Sequence, residues 1–113
     1  MAANSEIILS SNTHPGDSTT ETITGTNFKG DGYYGRSDGL HSVQYTFDGL
    51  TGTITIQGTL AVTPTDDDWF DVHTYTAAQE TSSKIASFIG NYVWIRAKVV
   101  YTDGTISSIV LNH

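Results

Sequence analysis

No cysteine occurs among the 113 residues, which excludes a disulfide framework, a thiolate zinc site and a thiol nucleophile together. The fold must be held by packing and β pairing. Positive charge is also scarce: five Lys and Arg stand against twelve Asp and Glu, for a net charge of −7. That balance argues against nucleic-acid binding, which needs cationic neutralisation of phosphates, and against docking on anionic lipid. An acidic surface instead keeps a crowded chain soluble. Long apolar runs are missing, so no stretch approaches membrane-spanning length and no membrane insertion is expected. The opening "MAANSEIILSSN" has no positive n-region and only the short run Ile7 to Leu9. It does not read as a signal peptide; the expectation is synthesis in a reducing cytoplasm without secretion.

Proline numbers only two, and the strong helix formers Ala, Leu, Glu and Lys are sparse. What is present is β composition: abundant Thr and Ser, eleven Gly, and 37% hydrophobic residues, enough for one modest core. The length fits one domain. Residues 1–20 read as an N-terminal arm or edge strand in which Glu6 to Ser10 ("EIILS") can add to a sheet edge. Residues 21–113 read as the sandwich domain.

Alternation of period two is the strongest signal. Val43, Tyr45 and Phe47 share a face, and a turn is expected over Asp48-Gly49-Leu50-Thr51-Gly52. In "TITIQGTLAV", Ile54, Ile56, Leu60 and Val62 share one face, Thr53, Thr55, Gln57 and Thr59 the other. Gly58 marks a bulge or a close approach by a neighbouring side chain. A strand is expected around Thr20 to Phe28. In "WFDVHTYT", Phe70 and Val72 are expected to be buried, with Trp69, Asp71 and His73 facing away. Val93, Ile95, Ala97 and Val99 form an apolar face opposite Tyr92, Trp94, Arg96 and Lys98. Asp103-Gly104 carries a hairpin-turn signal. Ala77 to Phe88 is expected to be loop with at most one helical turn. The implied fold is all-β: an antiparallel sandwich, jelly-roll or galactose-binding-like, of about seven to eight strands.

The stretch "PTDDDWFDVHTYT" raises the question of a site. Asp66, Asp68 and Asp71 are weak candidates for Ca²⁺, which takes oxygen ligands, but the EF-hand spacing and its glycine are missing. The plainer reading is an acidic corner that turns the chain after Pro64, and no cofactor is expected. The aromatic set Tyr33, Tyr34, Trp69, Tyr75, Tyr92 and Trp94, with Arg96 nearby, fits either a sugar-stacking platform or aromatics that cover the core edge or a subunit contact. Lys29 and Arg36 flank the glycine-rich "GDGYYG", which lacks the strand-to-helix context of a phosphate loop. His14, His41, His73 and His113 show no ligand spacing. Nothing in the pattern specifies catalysis, so no enzyme is expected.

The runs "KGDGYYGRSDGLHSVQYTFDGLTGTITIQGTL", "PTDDDWFDV" and "GNYVWIRAKVVYTDGTISSIVLNH" resemble small virion proteins of tailed bacteriophages, especially marine and cyanobacterial T-even-like myoviruses. The resemblance spans about Thr24 to His113. The succession "GTITIQGTL", "DWFDV", "FIGNYVWIRAKV" is also similar to discoidin-like or galactose-binding-like sandwiches. The virion resemblance implies a structural accessory protein of capsid decoration, neck, tail or baseplate, located on the virion. Its partners would be other virion proteins in a homo-oligomeric or multi-copy assembly. Discoidin-like relatives bind sugars or lipids through loops at one end, but those loop residues do not align here. The competing expectation is a carbohydrate-binding β-sandwich module that attaches to a host glycan.

Overall fold

The structure is a computed structural model that describes residues 5–16, 19–30, 32–33 and 40–112. Among the described residues, seven strands form one antiparallel sheet: β1 (Ser5–Leu9), β2 (Asn12–Thr13), β3 (Glu21–Thr24), β4 (Phe28–Lys29), β5 (Leu40–Thr59), β6 (Phe70–Ile89) and β7 (Trp94–Asn112). The central strand β5 pairs along its length with β6 on one side and β7 on the other. Along the far edge of β7, the four short strands β1 to β4 pair in succession. They act as one interrupted fourth strand. No helix among the described residues is long and apolar enough to cross a membrane.

The three long strands bend midway, and the bend turns one sheet into a sandwich. Residues 40–47 of β5 pair with 82–89 of β6 and 106–112 of β7. Residues 52–58 of β5 pair with 70–77 of β6 and 95–101 of β7. Side chains of these two halves then meet face to face. Tyr45, in the first half, lies 5.6 Å from the ring of Tyr75 in the second, and Phe47 lies 5.9 Å from it. The core sits between the halves and includes Val43, Tyr45 and Phe47 from one side and Ile54, Ile56, Ile95, Ala97 and Val99 from the other. Each large apolar side chain taken fully out of water contributes ~1.5–3 kcal/mol.

The bend corrects three expectations. Asp48 to Gly52 is no turn between strands but a double bulge within β5. Asp103-Gly104 is no hairpin, because β7 runs through it. Gly49 (φ +58°) and Gly104 (φ +99°) take the left-handed backbone that the bulges require, and a Cβ on Gly104 would meet the Gly49 carbonyl oxygen. The residues that signal a hairpin also build a bulge, so only the partner strand decides between them. Ala77 to Phe88 is neither loop nor helix but the continuation of β6, kinked at Gln79 (φ 49°). Hydroxyls satisfy backbone amides at the bend: Gly49 N–H donates to Thr81 Oγ1 and Gln79 N–H to Thr51 Oγ1.

Two edges follow from this arrangement. The segment Ser5–Leu9 is an edge strand of its own chain, paired with 109–112, with Ile8 buried in the core. The expected strand over Thr20 to Phe28 is divided into β3 and β4 at residues 25–27. On the opposite side β6 pairs with β5 alone among the described residues. The kink at Gln79 and the Glu80–Lys84 pair (3.7 Å) oppose further strand addition there.

Candidate functional site

Aromatic and polar side chains gather around one end of the sandwich, where β5 leaves the sheet, residues 60–69 form a loop and β7 begins. The outer face here is a connected row. Arg96 Nε donates to Gln57 Oε1 at 2.8 Å, and Gln57 Nε2 donates to Asp71 Oδ1 at 2.9 Å. The Arg96 guanidinium lies 4.4 Å from the centre of the Trp69 ring, a cation–π stack. These neighbours leave Gln57 buried although it points away from the core. Trp94 donates its indole N–H to the Val62 carbonyl at 2.9 Å, pinning the 60–69 loop. Tyr33 tilts against Trp94 at 5.2 Å, with Lys29 Nζ 4.5 Å from the Tyr33 ring centre. Trp69, Trp94, Arg96 and Tyr33 are therefore brought to one end. Tyr34 and Arg36 lie outside the described residues.

The acidic corner resolves into separate contacts. Asp66 lies 3.7 Å from Arg96 Nη1. Asp68 Oδ2 accepts from the backbone N–H (2.7 Å) and hydroxyl (3.1 Å) of Thr65, closing the 3-10 turn Asp66–Asp68. Asp71 is held by Gln57. The three carboxylates do not converge, and no group of three His, Asp or Glu suited to a metal occurs among the described residues. Calcium at Asp66, Asp68 and Asp71 has no geometric basis.

On the inner side of the same end lies an open cleft of about 560 Å³. The exposed Phe70 and Leu60, the covered Gly58, Tyr92, and the acidic Asp67 and Asp68 all line it. Phe70, expected to be buried, is 69% exposed. It pairs with Gly58 at the last position of the β5–β6 ladder, so no facing side chain covers it. Val72 is the extra residue of a bulge, because Gln57 pairs with Asp71 while Ile56 pairs with His73. His73 is thereby turned inward, against expectation, where its Nε2 meets the Tyr45 hydroxyl at 3.1 Å. Burial lowers the His73 pKa from its usual value.

Tyr92 also departs from the strand alternation. It precedes β7 and turns to the inner side, where its ring packs on the core edge near Phe88 (6.1 Å) and His41 (6.3 Å). Gly58 has no side chain because Tyr92 occupies that space: a Cβ there would lie 2.7 Å from Tyr92 Cγ. The anticipated close approach at Gly58 is thus an aromatic ring. Sequence reasoning misses that Phe70 and Tyr92 line one cleft, which the end of the β5–β6 ladder leaves open. The unusual glycine in an otherwise apolar strand face is the one signal that points to it.

The cleft has the dimensions of a small-molecule site. Its volume falls in the usual ~300–1,000 Å³ range, and its lining combines apolar side chains with a few polar groups. A flat apolar ring face and adjacent carboxylates suit a ligand with both an apolar face and hydroxyl donors.

No family model and no curated protein matches the chain. Solved structures do resemble its fold. One is the structure of PirA, with TM-score 0.55 and 10% identity, over 99% of this chain and 94% of that one. Another is CBM29_1, a family 29 carbohydrate-binding module from Piromyces equi, with TM-score 0.54 and 7% identity over 100% and 93%. A third is chitosan-binding module 1 of a chitosanase/glucanase from Paenibacillus sp. IK-5, with TM-score 0.52 and 15% identity over 99% and 97%. At these identities the likeness extends to the fold: an antiparallel β-sandwich of the kind seen in carbohydrate-binding modules.

Proposed function

We propose that this protein is a carbohydrate-binding β-sandwich module whose glycan lies in the cleft between Phe70 and Tyr92. One observation carries the reading: a large aromatic side chain, Phe70, 69% exposed, lines a cleft together with two acidic residues. Exposing a phenyl ring to water forgoes its burial energy, of order 1.5–3 kcal/mol. A sugar ring restores that burial through its apolar face while its hydroxyls reach Asp67 and Asp68. The likeness in fold to two carbohydrate-binding modules supports the reading.

The test is a glycan array followed by calorimetry on the best ligand. Phe70→Ala should weaken binding by at least about tenfold, equivalent to ~1.4 kcal/mol. Gln44→Ala, on the exposed outer face of the 40–47 half and away from the 60–69 loop, serves as the control and should change affinity little. Binding that is indifferent to Phe70→Ala removes the cleft from the account.

A second reading, a virion structural subunit acting by symmetric assembly, rests on the sequence resemblance. One surface favours it: the exposed Ile7, Leu40, Ile85 and Ile89 on the outer face of the 40–47 half, interspersed with uncharged Ser42, Gln44 and Ser87. Interface cores are depleted of charge. A repeated subunit could display the cleft, so the two readings are compatible. Light scattering should then give a multiple of the chain mass that Ile85→Lys reduces; a monomer at all concentrations would argue against self-assembly.

A further inference from the structure

The side-chain polar groups facing the cleft are unbalanced in kind. Asp67 and Asp68, which line it, carry carboxylates, which accept hydrogen bonds and donate none, and one Asp68 oxygen is already held by Thr65. The Thr59 hydroxyl accepts from Ala61 N–H at 3.1 Å and keeps its one O–H to donate. Tyr92 supplies one hydroxyl, and no Lys, Arg, His, Asn or Gln lines the cleft among the described residues. A site for a neutral glycan uses donors and acceptors together, since every sugar hydroxyl is both. This cleft offers surplus acceptors and negative charge, in a chain of net charge −7.

The cations nearest this end are also committed elsewhere. Arg96 is held by Gln57, Trp69 and Asp66, and Lys29 sits over Tyr33. Asp67 has no partner among the described residues, whereas Asp68 spends one oxygen on Thr65. The ligand chemistry that matches is a ring with an apolar face and a protonated amine, which brings three donors and no acceptor. We infer that the cleft selects amino sugars: it takes a glucosamine-type, cationic glycan over neutral or acidic ones, with Asp67 as the specificity-determining residue. This rests on the carbohydrate-binding reading and refines it.

The experiment compares equal-length oligomers of glucosamine, N-acetylglucosamine and glucose by calorimetry at mildly acidic pH and low salt. The wild-type chain, Asp67→Asn and Phe70→Ala are measured. The wild type should prefer the glucosamine oligomer by about tenfold, since ionised hydrogen bonds are roughly twice as strong as neutral ones, and added salt should narrow the gap. Asp67→Asn should shrink the preference several-fold while glucose binding stays within about twofold. Phe70→Ala should weaken all three. Equal binding of the three oligomers, each lost in Phe70→Ala, keeps the carbohydrate reading and overturns the amino-sugar preference. A preference untouched by Phe70→Ala or by Asp67→Asn means general attraction to an acidic surface, and overturns it too. No binding to any oligomer overturns the amino-sugar preference, and the glycan array then decides the carbohydrate reading.

Discussion

The Tyr45 hydroxyl and His73 Nε2 meet at 3.1 Å across the interior, tying together the two halves of a sheet that has bent over on itself. Tyr45 belongs to the half that pairs with 82–89 of β6, and His73 to the other half of that same strand. The contact exists only because the bulge opposite Gln57 turns His73 inward.

Acid should therefore loosen the sandwich through His73. Burial depresses its folded pKa below the usual 6.5, so the unfolded chain takes up a proton at a pH where the folded chain does not. Stability is fully present above pH ~6.5 and falls as the pH drops from there to the folded pKa, below which this contribution is exhausted. Urea denaturation at pH 7.5 and pH 5 should show the decline, and His73→Gln should flatten it. Parallel slopes in the two proteins would exclude His73 as its source.

Alkali should act through Tyr75. Its hydroxyl donates to Glu80 Oε1 at 2.6 Å, and that hydrogen bond is the main reason its pKa is pushed up to about 12. The unfolded tyrosine ionises near 10, so stability should fall as the pH rises from about 10 to about 12 and level off beyond. Spectrophotometric titration at the tyrosinate band should show one fewer late-titrating group in Tyr75→Phe. An unchanged late fraction would place the shift on another tyrosine, since burial also raises Tyr45 and Tyr101.

Much of this fold is legible in the sequence where a strand is flanked on both sides. The alternations in β5 and β7 place Ile54, Ile56, Ile95, Ala97 and Val99 inside, as their pattern requires. The pattern misleads where chemistry is shared between structures. Gly49 and Gly104 carry turn signals that serve as bulges, and "TSSKIASFI" alternates as a strand but looks polar because its outer face is mostly Ser and Thr. The site is legible only in part. Trp69, Trp94 and Arg96 follow from alternation, whereas exposure of Phe70 depends on where the ladder stops. Tyr92 leaves the alternation just before β7 starts.

Gly58→Ala tests the cleft lining. The added Cβ would lie 2.7 and 2.8 Å from Tyr92 ring atoms, closer than real side chains approach, so Tyr92 must shift. Overpacking of this kind costs ~1–3 kcal/mol. The melting temperature should fall and glycan binding should weaken, because displacing Tyr92 fills or reshapes the cleft. A variant as stable as the wild type, with unaltered binding, would show that Tyr92 moves freely.

Arg96→Ala separates stability from binding. The contacts of Arg96 are structural: it satisfies the buried Gln57 amide, stacks on Trp69 and faces Asp66, all on the outer face. The side chain is only 13% exposed. Its removal leaves the Gln57 Oε1 acceptor without its donor, a loss of ~1–3 kcal/mol. Arg96→Lys should rescue little, because an ammonium cannot reproduce both the planar stack on Trp69 and the Nε–H bond. Chemical denaturation should rank wild type well above both variants, while affinity for the glycan stays within about twofold. A large loss of affinity at unchanged stability would move the binding surface from the cleft to the outer face.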